Sequence, residues 1–127
     1  MTATRILLLL SMVWFQMVAK AQKFAPEDLP TWKLKNLVTG YERIGDLYSA
    51  IDMAEEFVVR RPKNTDMQRK LALLYVQTRD YTSALEILEK IQSNFSQDAE
   101  IQFLYAQMLK QNGFYERSTD AFDSFLN

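Results

Sequence analysis

A segment running from Thr65 to Asp98 has a related segment on each side of it at a shift of thirty-four residues. A chain that repeats itself at such an interval folds as a stack of similar units, each burying an apolar face against its neighbour. The agreements fall on small and aromatic positions, the kinds of residue that two packed helices need. Val38, Ala72 and Ala106 recur in register, as do Ala50, Ala84 and Ser118, and small side chains let two helix axes approach closely. The larger positions follow the same interval: Leu37, Leu71 and Tyr105; Tyr41, Tyr75 and Leu109; Leu47, Tyr81 and Tyr115; Phe57, Ile91 and Phe125.

Helix is favoured throughout the repeating part, since only three Gly and three Pro interrupt a sequence rich in Leu, Ala, Glu, Lys, Gln and Met. No sheet is expected. A chain of 127 residues, 48% hydrophobic and 24% charged, is sized for one domain with a real core. Turn and cap residues divide it into units 31–64, 65–98 and 99–127. The first has helices near Trp32–Ile44 and Leu47–Arg61, with Gly45 at the turn and Pro62 as the stop. Arg60 and Arg61 suit the carboxyl end of that second helix and read as a terminus, not a nucleic-acid patch. The second unit opens on Thr65-x-x-Gln68, which has the form of a capping box, and its helices are expected over Asp66–Thr78 and Tyr81–Asn94. Glu86 and Lys90 have the spacing of an exposed ion pair. In the third unit Asp98 caps a helix from Ala99 to Gln111, and Asn112-Gly113 makes the next turn.

The first thirty residues read differently. Arg5, the apolar run Ile6 to Val18 and the small-x-small pattern Ala19-Lys20-Ala21 have the form of an export signal cleaved before Gln22. A run of thirteen residues that contains Ser11 and Gln16 falls short of the roughly twenty apolar residues that span a bilayer. Without cysteine, lipid attachment at that residue type is excluded. Residues 22–30, holding Pro26 and Pro30, are expected as a linker, with Glu27 and Asp28 favoured ahead of the first helix by its dipole. Removing Arg5 and Lys20 from the fifteen basic residues leaves thirteen against sixteen acidic, an acidic balance unlike that of a nucleic-acid binder.

Catalysis finds little to work with. The chain has no Cys and no His, so thiol nucleophile, imidazole base and the usual zinc ligands are missing. Glu55 with Glu56 and Asp120 with Asp123 are the local carboxylate clusters, and on amphipathic helices they are expected to face water. Asn94-Phe95-Ser96 matches a glycosylation sequon, a short pattern that occurs freely by chance. Tyr41, Tyr75, Tyr81 and Tyr115 sit at recurring positions and are expected in the core. No catalytic residue, cofactor or metal is expected.

The period and its small and aromatic positions over Thr31–Asn127 resemble the tetratricopeptide repeat, a helix-turn-helix unit of the same length. The resemblance implies an all-α, right-handed superhelix of three such repeats behind a signal peptide, with a non-catalytic role in binding protein partners. In this family the first helix of each unit lines a concave groove. Partner binding is thereby assigned to Trp32, Lys35 and Thr39, then Arg69, Leu73 and Val76, then Phe103, Gln107 and Lys110. The family's clamp for acidic chaperone tails does not carry over: Lys35 fits it, whereas Thr39, Lys70, Glu100 and Leu104 replace the wanted Asn, Asn, Lys and Arg. The export signal joined to repeats with a Gly-x-Tyr turn at Gly113 and Tyr115 resembles exported repeat proteins of Bacteroidota-type bacteria. Some of these continue into a propeller and a peptidoglycan-binding domain in envelope or secretion machinery. The implied location is the periplasm or cell envelope. The alternative is a structural module that self-associates through its last helix, where Phe122, Phe125 and Leu126 lack a polar capping helix.

Overall fold

The computed structural model describes residues 2–20 and 25–127. An amino-terminal helix α1 (Thr2–Lys20) is followed by a 3-10 turn over Pro26–Asp28 and six helices: α2 (Thr31–Arg43), α3 (Leu47–Arg60), α4 (Thr65–Gln77), α5 (Tyr81–Ile91), α6 (Ala99–Gln111) and α7 (Tyr115–Leu126). Among the described residues there is no strand. α2 with α3, α4 with α5 and α6 with α7 form helix-turn-helix pairs, and α4 packs on α3 as α6 packs on α5. The pairs are therefore stacked in chain order, as the thirty-four-residue period requires.

Two apolar clusters follow from this stacking. One joins α2 and α3 to the near face of α4 through Leu34, Met53, Phe57, Met67, Leu71 and Leu74. The other joins α5 to α6 through Leu85, Leu88, Ile91, Ile101 and Met108. The recurring small residues lie at the helix crossings, and all of Val38, Ala50, Ala72, Ala84, Ala106 and Ser118 are buried. In the last pair the closeness is measured directly, because the Ser118 hydroxyl donates to the Ala106 carbonyl at 2.8 Å between α7 and α6.

The helix ends repeat as faithfully. Asp46 and Asp80, thirty-four apart, each accept the backbone N–H of a serine three residues on, Ser49 and Ser83. The next equivalent is Phe114, which offers no such acceptor, so α7 begins uncapped; an Asp cap of this kind contributes about 1 kcal/mol. For the first helices, Asn64 and Asp98 cap α4 and α6, while the equivalent Pro30 cannot. The expected capping box is corrected here: Asn64 is the cap, Thr65 is already helical, and the Gln68 amide reaches back to the Pro62 carbonyl at 3.0 Å. α5 also ends three residues before the expected Asn94. Gln102 explains the early stop, since its amide donates to the carbonyls of Gln92 and Phe95 at 2.8 and 2.9 Å and holds the connection in turns. Glu86 and Lys90 make no ion pair among the described residues.

Residues 25–30, expected within a linker, are docked. Arg60 donates to the carbonyls of Leu29, Pro26 and Glu27 while its Nε holds Glu56 at 2.8 Å, so one guanidinium ties the lead to α3. Leu29 is buried beneath it. In α1 the described side chains, residues 2–11, are exposed. No helix among the described residues is long and apolar enough to cross a membrane. The expected cleavage junction between Ala21 and Gln22 lies outside the described residues.

Each pair turns on a residue with positive φ, at Gly45 (79°), Arg79 (62°) and Gly113 (84°), spaced by the same thirty-four residues. Glycine takes this left-handed conformation without penalty, whereas a Cβ costs about 1–2 kcal/mol there. Arg79→Gly is therefore expected to stabilise the domain by about 0.5–1 kcal/mol once the greater freedom of glycine in the unfolded chain is counted. Thermal unfolding should show a rise of several degrees for a domain of this size. Arg79→Ala, which keeps the Cβ, should show none.

Candidate groove on the first helices

The residues assigned to the groove occupy one face of α2, α4 and α6 at intervals of three or four, but they do not form one continuous site. On α2, Trp32 is 67% exposed and Lys35 and Thr39 are also exposed. Lys35 and Thr39 come together at a cavity of about 190 Å³ between α2 and α4. Its floor is Val38, Phe57 and Met67, and Lys70, Asn64 and Asp66 complete the rim. Leu73 and Val76 continue along α4 half-buried. On α6, Gln107 is half-buried and Lys110 exposed.

Two assigned residues have partners elsewhere in the fold. Arg69 is assigned to partner binding. Its guanidinium instead holds Glu100 at 2.6 Å and Asp98 at 3.4 Å, and lies over the Phe95 ring at 5.9 Å from the centroid. The acidic start of α6 thus neutralises it. Phe103 turns toward the last helix, with its ring 5.7 Å from Phe122 in an edge-on arrangement and 6.2 Å from Phe125. It belongs to the aromatic end of the array.

Polar contacts across the seams between repeats carry information that the periodicity of apolar residues did not. Lys70 on α4 pairs with Glu42 on α2 at 3.1 Å. The other oxygen of that carboxylate, Oε1, is buried without a hydrogen-bond partner among the described residues, as is Arg69 Nε. A buried polar atom left unpaired is costly, and an incoming polar group or water relieves it. The carboxylates weighed as acid and base have structural partners: Glu56 pairs with Arg60, and Glu55 accepts from the Tyr75 hydroxyl. Tyr75 is thus half-buried with its polar tip engaged on α3. Tyr115, expected in the core, is 67% exposed, with no following helix over it among the described residues.

A tetratricopeptide repeat model matches residues 36–99 and again 69–126. The chain belongs to the tetratricopeptide repeat family. Solved structures of MamA share its fold: a MamA D159K mutant at 21% identity and TM-score 0.73, covering 81% of this chain and 57% of that one; MamA AMB-1 at 21% and 0.72, covering 79% and 55%; and MamA MSR-1 at 20% and 0.72, covering 81% and 59%. This chain therefore spans less than two thirds of the length of those structures. No curated protein matches the sequence.

Burial first, then the hydrogen bond and negative charge of Glu55, raise the Tyr75 phenol well above its ordinary value. A folded-state value above the unfolded one means that the contribution to stability is whole below about pH 10 and is lost as pH rises beyond it. Titration of the phenolate absorbance should show one late tyrosine that vanishes in Tyr75→Phe. Glu55→Gln should bring that tyrosine to lower pH; a late tyrosine that does not move would contradict the contact.

Proposed function

We propose that this tetratricopeptide repeat chain is a non-catalytic scaffold that works after export, in the periplasm or cell envelope, binding a segment of a partner protein along the concave face of α2 and α4. The observation that carries the reading is the cavity between those helices, where Lys35 stands over an apolar floor of Phe57 and Met67, with Asp66 and the Glu42-paired Lys70 also at its rim. Such a site takes an apolar side chain into its floor and favours acidic groups at its rim. Leu73 and Val76 extend the apolar strip along α4. Lys35 does the charge selection in this reading, since Arg69 and Lys70 are already paired with Glu100 and Glu42.

Export is supported by the form of the amino-terminal segment, a single Arg5 ahead of an apolar helix whose Ile6 to Leu10 are exposed. A larger envelope or secretion assembly, with this array as one part, fits the same composition. The test combines both halves. Photo-crosslinking from Lys35 or Leu73 in living source cells, each position replaced by a photoreactive residue, should capture a defined envelope partner, whereas the same probe at Glu86 on α5 should not. Lys35→Ala with Leu73→Ser should weaken that partner's binding by about tenfold or more. The recovered protein should begin at Gln22 by mass spectrometry. Equal capture from α5, or a protein still carrying Met1 in the cytoplasm, would reject the proposal.

A further inference from the structure

At the turn inside each helix pair one side chain departs from its equivalents in the other repeats. Tyr48 stands where the second and third repeats have Thr82 and Glu116, and its ring is 70% exposed. Arg79 stands where the others have Gly45 and Gly113, and it holds at φ 62° the left-handed conformation that glycine takes without penalty. Phe114 stands where the others have Asp46 and Asp80, so α7 loses its cap while the ring is 46% exposed. None of the three departures improves the fold.

The stacking brings these residues to one edge. The Thr82 hydroxyl donates to Asn112 Oδ1 at 3.2 Å and the Asn112 amide donates to the Tyr81 carbonyl at 3.0 Å, so the third turn sits on the start of α5. Tyr48 and Thr78 are the equivalents of Thr82 and Asn112, which sets Tyr48 beside the turn that carries Arg79. The exposure belongs to the edge itself: Asp80 and Thr82, in the middle repeat, are exposed with a repeat stacked on either side. Among the described residues the Arg79 guanidinium makes no hydrogen bond or ion pair, whereas the Asp80 carboxylate beside it is engaged by Ser83. Arg117 lies over the Phe114 ring at 5.3 Å, leaving its other face open. An unpaired arginine between two aromatic rings has the composition of an interface anchor. Local rules broken without gain inside the fold mark positions that serve a contact outside it.

We propose that this turn edge docks a proline-rich segment of a partner protein in the polyproline II conformation, with a carboxylate on Arg79 and a proline ring on each of Tyr48 and Phe114. The cation between two rings selects an acidic residue between two apolar ones. Spacing selects the conformation. Neighbouring helices pack about 8–10 Å apart, and polyproline II turns once in three residues with a rise of about 9 Å, so residues i, i+3 and i+6 face one side at the interval of the stacked helices. Aromatic surfaces take such segments because the preformed helix loses little freedom on binding. The chain's own prolines, Pro26, Pro30 and Pro62, do not have this spacing, so a second copy does not supply the segment. The edge shares no residue with the cavity between α2 and α4 and stands without it.

Capped heptapeptides of proline with Glu or Gln at the fourth position serve as probes, titrated into the isotope-labelled full chain and followed by NMR. The Glu peptide should move the amide signals of Tyr48, Arg79 and Phe114 and bind about two- to fivefold tighter than the Gln peptide, the size of an exposed ion pair. Giving each position the residue that its sister repeats carry separates contact from stability. Arg79→Gly, Tyr48→Thr and Phe114→Asp should each weaken the Glu peptide by about fivefold or more. Their unfolding temperatures should hold or rise, since glycine relieves the turn and Asp restores the cap. Lys35→Ala with Leu73→Ser should leave binding unchanged. No movement of the three signals, equal binding of the Glu and Gln peptides, or full affinity in Arg79→Gly overturns the proposal. A peptide with Ser in place of every Pro that binds as tightly overturns it too. So does a concentration-dependent dimer abolished by Arg79→Gly, which makes a second copy the occupant.

Discussion

Everything in this array depends on how closely the two helices of each pair can approach. The small residues concerned are Val38 and Ala50 in one apolar cluster, Ala72 and Ala84 in the other, and Ala106 with Ser118 in the last pair, all buried. The third pair shows the distance involved: a serine hydroxyl on one helix reaches the backbone carbonyl of the other at 2.8 Å. With axes this near, the larger side chains on either side of the crossing interlock, and the outer faces of the pair line up against the next pair. Each repeat then buries its second helix only because a neighbour arrives. This is why Phe57 and Ile91 are buried and Phe125 is not.

The same dependence sorts the repeats by completeness. The middle pair has an Asp cap on α5 and an Asn cap on α4, and is covered on both sides. The first replaces the cap of α2 with Pro30 but gains the docked lead, held by Arg60. The third loses the cap of α7 at Phe114 and, among the described residues, has no helix over α7. Its aromatic residues gather with Phe103 instead of entering a core. Polar contacts follow the stacking too, since Lys70 with Glu42, Arg69 with Glu100 and Arg117 with Glu89 each join neighbouring repeats.

The stacked helical fold was legible in the sequence because it rests on spacing: the recurrence of small residues, the glycine turns and the apolar stripes are all local or periodic signals. Helix ends were less legible where a single side chain decides them. Gln102 stops α5 early from ten residues away, and Asn64 takes the cap that Thr65-x-x-Gln68 seemed to offer. The groove assignment located Lys35 and Thr39 at a cavity but missed Lys70 and Asn64 on its rim, because the pairing of α2 with α4 is a tertiary fact. The pairing of Arg69 with Glu100, thirty-one residues on, is likewise a tertiary fact. The left-handed turn at Arg79 could have been read from the period alone, since it stands between Gly45 and Gly113.

Close approach at the crossings is tested most directly by placing a long charged side chain at one of them and an added methyl group elsewhere on a first helix. Ala72 is 1% exposed, while a Cβ at Gly40 meets nothing within 4 Å. Reversible thermal unfolding followed by circular dichroism should show Ala72→Arg losing several kcal/mol, enough to disrupt the middle pair, because the guanidinium enters a site sized for a methyl group. Gly40→Ala should gain about 0.5–1 kcal/mol from helix propensity. An Ala72→Arg protein as stable as the wild type would contradict the account.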